Sequence, residues 1–140
     1  MQEIWVALWL SLKVAFFATL INFFLGIMAA SLLHRYKNKV TELIEIFLTL
    51  PMVLPPTVLG YYLLVCFGSQ SAFGQLLSQL GIKLIFTING AILAATIVTF
   101  PLVLKPLLAA FEQIPSNIVD AAKVIRLNYF QIIYMIILPM

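Results

Sequence analysis

Residues 14–33 read VAFFATLINFFLGIMAASLL, twenty positions without one ionisable side chain. At about 1.5 Å of rise per residue, such a run crosses a hydrocarbon core of about 30 Å as a single helix. Two further runs of this kind follow, IFLTLPMVLPPTVLGYYLLVCF at 46–67 (22 residues) and 84–104 (21 residues). Backbone polar groups in hydrocarbon need partners within their own segment. The chain has no series of short alternating strands, so the spans are expected to be helices and not the staves of a barrel. A fourth apolar run at 127–140 has 14 residues, too few for a full crossing. The expected fold is all-α: a polytopic transmembrane helix bundle with three complete spans and a partial fourth.

Composition agrees. Of the 140 residues, 64% are hydrophobic and 9% charged, whereas a soluble domain carries about a quarter charged residues. Eight basic and five acidic side chains cannot coat a soluble domain of this length, which excludes a soluble enzyme. The net charge of +3 lies between apolar runs and not on a basic patch interleaved with aromatics, so no nucleic acid is expected as a partner. Cys66 is the only cysteine, and within one chain it can build neither a disulfide nor a cysteine metal site. His34 is the only histidine. It is expected as a solvated residue of a basic loop, and no convergent group accompanies it to make an intramembrane active site. No metal or cofactor is expected.

The charges instead set the topology. Arg35, Lys37 and Lys39 cluster after the first run, and Lys105, Lys123 and Arg126 follow the third. These six of the eight basic residues mark the cytoplasmic side, which puts the N-terminus outside and makes 68–87 an external connection. The start, Met1-Gln2-Glu3, lacks the basic region of a cleaved signal, so the first span is expected to stay attached. Trp5, Trp9 and Lys13 recur every four residues and mark a membrane interface, with Lys13 read first as snorkelling toward headgroups and second as a cation for anion transport. In the external connection Phe73, Leu76, Leu77 and Leu80 follow helical spacing, which predicts a short amphipathic helix on the outer surface, packed against neighbouring spans or, as the second reading, in contact with an external partner.

Two segments carry more than span information. In 50–61, LPMVLPPTVLGY, Pro51, Pro55 and Pro56 fall within six residues of an otherwise good helix. Each proline deletes a backbone donor and disturbs the preceding turn. Broken backbone at membrane depth persists where it is buried in protein or lines a polar cavity, so this segment is either a packing kink or a solute path. Thr57 either restores a backbone hydrogen bond or presents its hydroxyl to a solute. Thr96, Thr99, Pro101 and Pro106 repeat the theme more weakly in the third span.

The second segment, 115–128, reads PSNIVDAAKVIRLN. Its spacing predicts a short cytoplasmic helix capped by Ser116 or Asn117, with Asp120 in the first turn and Lys123 and Arg126 in the last. Ile118, Ala121, Ala122 and Ile125 share one face, and the two alanines allow close approach. That face lies either on its own membrane domain or in the groove of a cytoplasmic partner.

Asp120-Ala121-Ala122, three residues, position 126, nine residues, then Ile136-x-Leu138-Pro139 follows the spacing of the EAA loop. In this the chain resembles the permeases of ABC importers. Aspartate stands for the usual glutamate, and Arg126 stands where the family has glycine. A glycine there turns with positive φ, a conformation that costs an ordinary residue about 1 kcal/mol. The resemblance implies that Asp120, Ala121, Ala122 and Arg126 belong to a coupling helix seated in an ATP-binding cassette subunit.

Residues 50–61, with Phe86-Thr87, Gly90-Ala91 and Phe100-Pro101, are similar to the molybdate permease subunits of that family, over nearly the whole chain. This similarity implies one transmembrane domain over 1–140 and a homodimeric pore in the bacterial plasma (inner) membrane. It also implies a translocation path along Pro51, Pro55, Pro56, Thr57 and Gly60, and an extracytoplasmic binding protein that delivers molybdate or a related oxyanion. The chain has no G-x-x-x-x-G-K-[ST] loop, so it is not expected to be an enzyme, and ATP hydrolysis falls to the partner. Such permeases continue past the Leu-Pro with the rest of the fourth span and one more, so the domain is expected to be incomplete at its C-terminal end. The alternative expectation is a non-transporting membrane fragment that pairs with another permease copy.

Overall fold

The structure is a computed structural model that describes residues 1–125, 128, 131, 134 and 135. Arg126, most of the 127–140 run and the Ile136, Leu138 and Pro139 positions lie outside the described residues, and with them the expected fourth span. The described part is helical throughout: α1 (Gln2–Arg35), α2 (Lys39–Val53), α3 (Pro56–Phe67), α4 (Ala72–Gln79), α5 (Ile88–Glu112) and α6 (Ser116–Val124).

Two helices, α1 and α5, are each long and apolar enough to cross a membrane. The first has 34 residues, about 51 Å at about 1.5 Å per residue, and so projects beyond a core of about 30 Å. Its added length at the N-terminal end carries Trp5, Trp9 and Lys13, all exposed, with the Lys13 ammonium 5.6 Å from the Trp9 ring centroid. His34 belongs to the last turn of α1 and not to a loop. Its ring is half-buried, 5.9 Å from that of Phe111, because the apolar face of α1 continues to the helix end.

The second long helix starts later and ends later than its charge-free run. Residues 84–87 build its cap, in which the Thr87 hydroxyl accepts from the Gly90 N–H and donates to the carbonyls of Lys83 and Leu84. A Cβ at Gly90 would run into the Leu84 carbonyl, so only glycine fits this position. The same construction caps α4. The Ser71 hydroxyl accepts from the Gly74 N–H and donates to the carbonyls of Cys66 and Gly68, and a Cβ at Gly74 would meet the Gly68 carbonyl. At the other end α5 continues through Lys105 and Pro106 to Glu112.

The long helices are parallel, since contacts advance along both in the same direction. Asn22 meets Thr96 and Thr99, Gly26 faces Val103 and Leu107, and His34 reaches Phe111. The seam on α1 is a stripe at every fourth residue, Ala18, Asn22, Gly26 and Ala30, all buried. Small side chains let the two backbones approach, which in a membrane replaces the missing hydrophobic drive with close packing. The apolar core sits at the Arg35 end, where Ala30, Leu33, Leu104 and Phe111 are buried and Leu48 of α2 packs against them.

The run at 46–67, expected as a span whose helix Pro51, Pro55 and Pro56 disturb, is not one continuous helix. The chain breaks between α2 and α3, whose axes differ by 114°, so this segment is a bent pair of helices that passes the length and apolarity test for a span only when the two are taken together. Pro51 is absorbed inside α2, but Leu54 (φ −75°, ψ 139°) and Pro55 (φ −57°, ψ 140°) are both extended. A residue before proline is driven out of the helical region, and the Pro55-Pro56 tandem imposes this on two successive residues. Pro56 then opens α3, where its missing N–H costs nothing.

Candidate functional site

Proline chemistry decides what the break presents. With no N–H on Pro51, Pro55 or Pro56, the carbonyls of Phe47, Pro51 and Met52 lose their helical donors. The carbonyl of Pro55 accepts from both Val58 and Leu59 at 3.0 Å, closing the first turn of α3. Pro55, Pro56 and Thr57 are exposed, and Pro51 and Gly60 are half-buried. The Thr57 hydroxyl makes no hydrogen bond among the described residues, whereas Thr49, one turn before the break, donates to the carbonyls of Glu45 and Ile46. Of the two readings of Thr57, backbone repair is therefore not the one observed. A Cβ added at Gly60 would meet nothing within 4 Å, so α3 is open on that side.

The five residues of the expected path thus fall on one short stretch of α2 and α3, around the bend. No charged side chain occurs between residue 46 and Lys83, and at the start of α3 Pro56 has no N–H while those of Val58 and Leu59 are taken by the Pro55 carbonyl, so the donors left there are the hydroxyl and N–H of Thr57. These are weak, neutral donors.

The helix expected at 115–128 forms as α6, Ser116–Val124. Pro115 precedes it, and the Asn117 side chain accepts from the Ile118 N–H at 3.0 Å. Because α6 opens at Ser116, Asp120 falls past the first turn, which corrects the expected dipole role. Ile118 is half-buried, while Asp120 and Ala121 are exposed, as are Val124 (83%) and Ile125 (71%). An apolar, solvent-facing edge on a nine-residue helix cannot stabilise it alone, since short helices rely on tertiary packing. Arg126 of the expected coupling set is outside the described residues.

Comparison with known proteins now adds the family. Residues 22–140 match the family of binding-protein-dependent transport system inner membrane components. The chain belongs to that family. Relatives of this permease family include the molybdenum transport system permease protein ModB of Escherichia coli K12, 36% identical over 97% of this chain and 60% of its own length. ModB of Azotobacter vinelandii is 34% identical over 96% of the chain and 60% of the relative. The probable sulfate transport system permease protein cysT of Chlorokybus atmophyticus is 33% identical over 92% and 45%. The chain therefore spans about 60% of the length of the ModB relatives it matches. No solved structure matches.

Two features escaped the sequence reading. The Asn22 amide, 1% exposed, donates to Thr99 Oγ1 at 2.7 Å and to the Thr96 carbonyl at 3.3 Å, near the middle of α1 and α5. The Thr99 hydroxyl spends its own hydrogen on the Ala95 carbonyl at 2.8 Å, so Asn22 has to be the donor, and its Oδ1 has no partner among the described residues. The signal was present in the sequence as a lone amide in the 14–33 run, on the same four-residue spacing as Ala18, Gly26 and Ala30. The other feature is a charged cleft of about 390 Å³ at the Arg35 end, lined by His34, Lys37, Glu42, Glu45, Lys105 and Glu112. Across it Lys37 and Glu112 lie 3.9 Å apart. Nothing in the linear order brings these residues together.

Proposed function

We propose that the chain is a permease subunit of an ATP-driven importer for molybdate or a related tetrahedral oxyanion. The observation that carries the reading is the 114° break at Pro55-Pro56, in a segment without charge that is long enough to reach membrane depth. Similarity to ModB supports molybdate, and similarity to cysT keeps sulfate in the same class. Pro51, Pro55, Pro56, Thr57 and Gly60 line the path in this reading. The α6 edge, with Asp120, Ala121, Ala122 and Arg126, seats in an ATP-binding subunit. An extracytoplasmic binding protein loads the pore, a second copy completes it, and the N-terminus faces outside. Hydrolysis belongs to the ATP-binding subunit, because this sequence holds no phosphate-binding loop.

The shift between open states in such a device comes from unequal contacts in the two states. Here the unequal partner is α6 with the residue after it, where exposed Ala121, Val124 and Ile125 gain cover only when the ATP-binding subunit is in place. The test is co-purification of the cognate ATP-binding subunit with the tagged chain, before and after Ala121→Glu. A carboxylate buried without a partner costs several kcal/mol, on the order of 3 or more, so recovery of the subunit is expected to collapse while membrane insertion persists. Undiminished recovery overturns the assignment of α6. The anion class is tested by labelled molybdate uptake in permease-deleted cells, with sulfate and tungstate as competitors.

A further inference from the structure

At the end of the bundle where α5 begins, α4 rests on the protein by one edge only. Gly74 is buried and Leu77 half-buried against residues 67–69 and 82–85. Phe73, Leu76 and Leu80 fall together on one flank and are exposed, although Phe73 also touches Phe67 edge-on at 5.5 Å. Gln75, Ser78 and Gln79 occupy the other flank. The expectation that the apolar face packs against neighbouring spans is thus met in part among the described residues, by Leu77 and by Phe73 on Phe67 of α3, while Leu76 and Leu80 stay exposed. The helix separates an apolar side from a polar side, with the protein contact between them.

Phe86 adds an independent observation. It is 99% exposed and held at φ 56°, the left-handed region that an ordinary side chain enters at a cost of about 1–2 kcal/mol. Exposing a phenyl ring to water from a strained backbone is unfavourable twice over, whereas the same ring in lipid repays the strain through burial. The Thr87 cap, with Gly90 beneath it, sets this turn and so keeps the ring outward.

Charge points to the same surroundings. Between residues 46 and 104 Lys83 is the only ionised side chain, and no carboxylate there opposes a phosphate. Lys83 shares a depression of about 220 Å³ with Ser69 and Ser78. Phe67, Leu84 and Ile85 are common to that depression and to an apolar cleft of about 360 Å³ between α3 and α5, whose lining includes Leu63, Leu64 and Leu93. A cation above an apolar slot matches a headgroup above its acyl chain. Because α1 and α5 are parallel, Trp5, Trp9 and Lys13 lie toward this same end.

We propose that α4 and residues 81–87 form a ledge on the lipid surface, with Lys83 on an anionic headgroup phosphate and Leu76, Leu80 and Phe86 among acyl chains. The inference needs the chain to be a membrane component, but it depends neither on which end faces outside nor on the oxyanion. The full chain is reconstituted after Trp5→Phe and Trp9→Phe, with L76W on the apolar flank and Q79W on the polar flank as separate reporters. Acyl-brominated phosphatidylcholine is expected to quench L76W strongly and Q79W weakly. Vesicles of phosphatidylglycerol are expected to shift the L76W emission to the blue relative to phosphatidylcholine, and Lys83→Gln to abolish that shift. Equal quenching of the two reporters overturns the ledge. So does an L76W shielded from brominated lipid, whether a second copy or a soluble partner covers it. A phosphatidylglycerol shift that survives Lys83→Gln overturns the headgroup assignment.

Discussion

Prolines have opposite outcomes in the two halves of this molecule. Helix α5 carries Pro101 and Pro106 and stays continuous over 25 residues, whereas Pro55-Pro56 turns the α2–α3 segment by 114°. Each single proline removes one backbone hydrogen bond and crowds the residue before it. At Pro101 the crowding is overridden, because the ring is fully buried beside the α1–α5 seam and half-buried Phe100 packs on the core. At Pro55 and Pro56 no packing opposes it: both rings are exposed, and the tandem acts on two consecutive residues. The difference teaches that the number of prolines does not mark a break. Adjacency together with the lack of a packing partner does.

The largest test of that contrast removes the tandem. With Pro55→Ala and Pro56→Ala, Leu54 is free to return to the helical region and α2 and α3 fuse. Spin labels on cysteines at exposed Phe47 and Leu64, after Cys66→Ser, report the separation. It is expected to lengthen toward about 26 Å, the span of 17 residues of continuous helix. A distance unchanged from that of the parent pair would mean that packing, and not the prolines, holds the bend.

A second test compares glycines from the two regions. A Cβ at Gly26 meets Leu107 Cδ1 and Val103 Cγ1 at 3.0 Å, so Gly26→Leu wedges the long helices apart at a cost of about 1–3 kcal/mol, read as a lower Tm in detergent. Gly60 has open space, and Gly60→Leu is expected to leave Tm unchanged. Equal losses at the two sites would remove the distinction between a packed seam and an open break.

Smaller again is the polar bolt in the seam. Asn22→Leu and Thr99→Val each break the 2.7 Å hydrogen bond, and such bonds between membrane helices contribute about 0.6 kcal/mol on average and up to about 1.7. Because the two side chains share that bond, the double variant is expected to lose less than the sum of the singles. Full additivity would show that Asn22 acts through packing alone.

The sequence made these regions unequally legible, for physical reasons. Hydrocarbon forbids charge and unpaired backbone, so the apolar runs at 14–33 and 84–104 announced α1 and α5. The position of the break was also readable, since Pro55-Pro56 acts locally on Leu54. Its angle was not, because that depends on what α2 and α3 find to pack on. The partners of Asn22 and the Lys37–Glu112 approach are separated by more than seventy residues, and no local pattern joins them. For α4 the periodicity revealed an apolar face but not its neighbour, so it could not tell that Leu77 and Phe73 meet the protein while Leu76 and Leu80 do not. Of the coupling set, α6 was legible from spacing, while its start at Ser116 moved Asp120 out of the first turn.

The smallest expected effect lies at the Arg35 end, where Lys37 and Glu112 approach to 3.9 Å across the charged cleft. Both side chains are well exposed, at 69% and 63%, so water and salt screen the pair and holding two long side chains in register opposes it. Lys37→Gln is therefore expected to lower stability by no more than about 1 kcal/mol at low ionic strength. At 1 M salt, where the screening length falls to about 3 Å, variant and parent should converge. The Asn22 bolt supplies the control, because its buried neutral hydrogen bond has no reason to follow ionic strength. A Lys37→Gln loss that is large and persists in salt would place the pair out of reach of water and make the two ends of the bundle equally rigid. A small, salt-sensitive loss leaves the Arg35 end held by its apolar core of Ala30, Leu33, Leu104 and Phe111, with the charges around the cleft free to exchange partners.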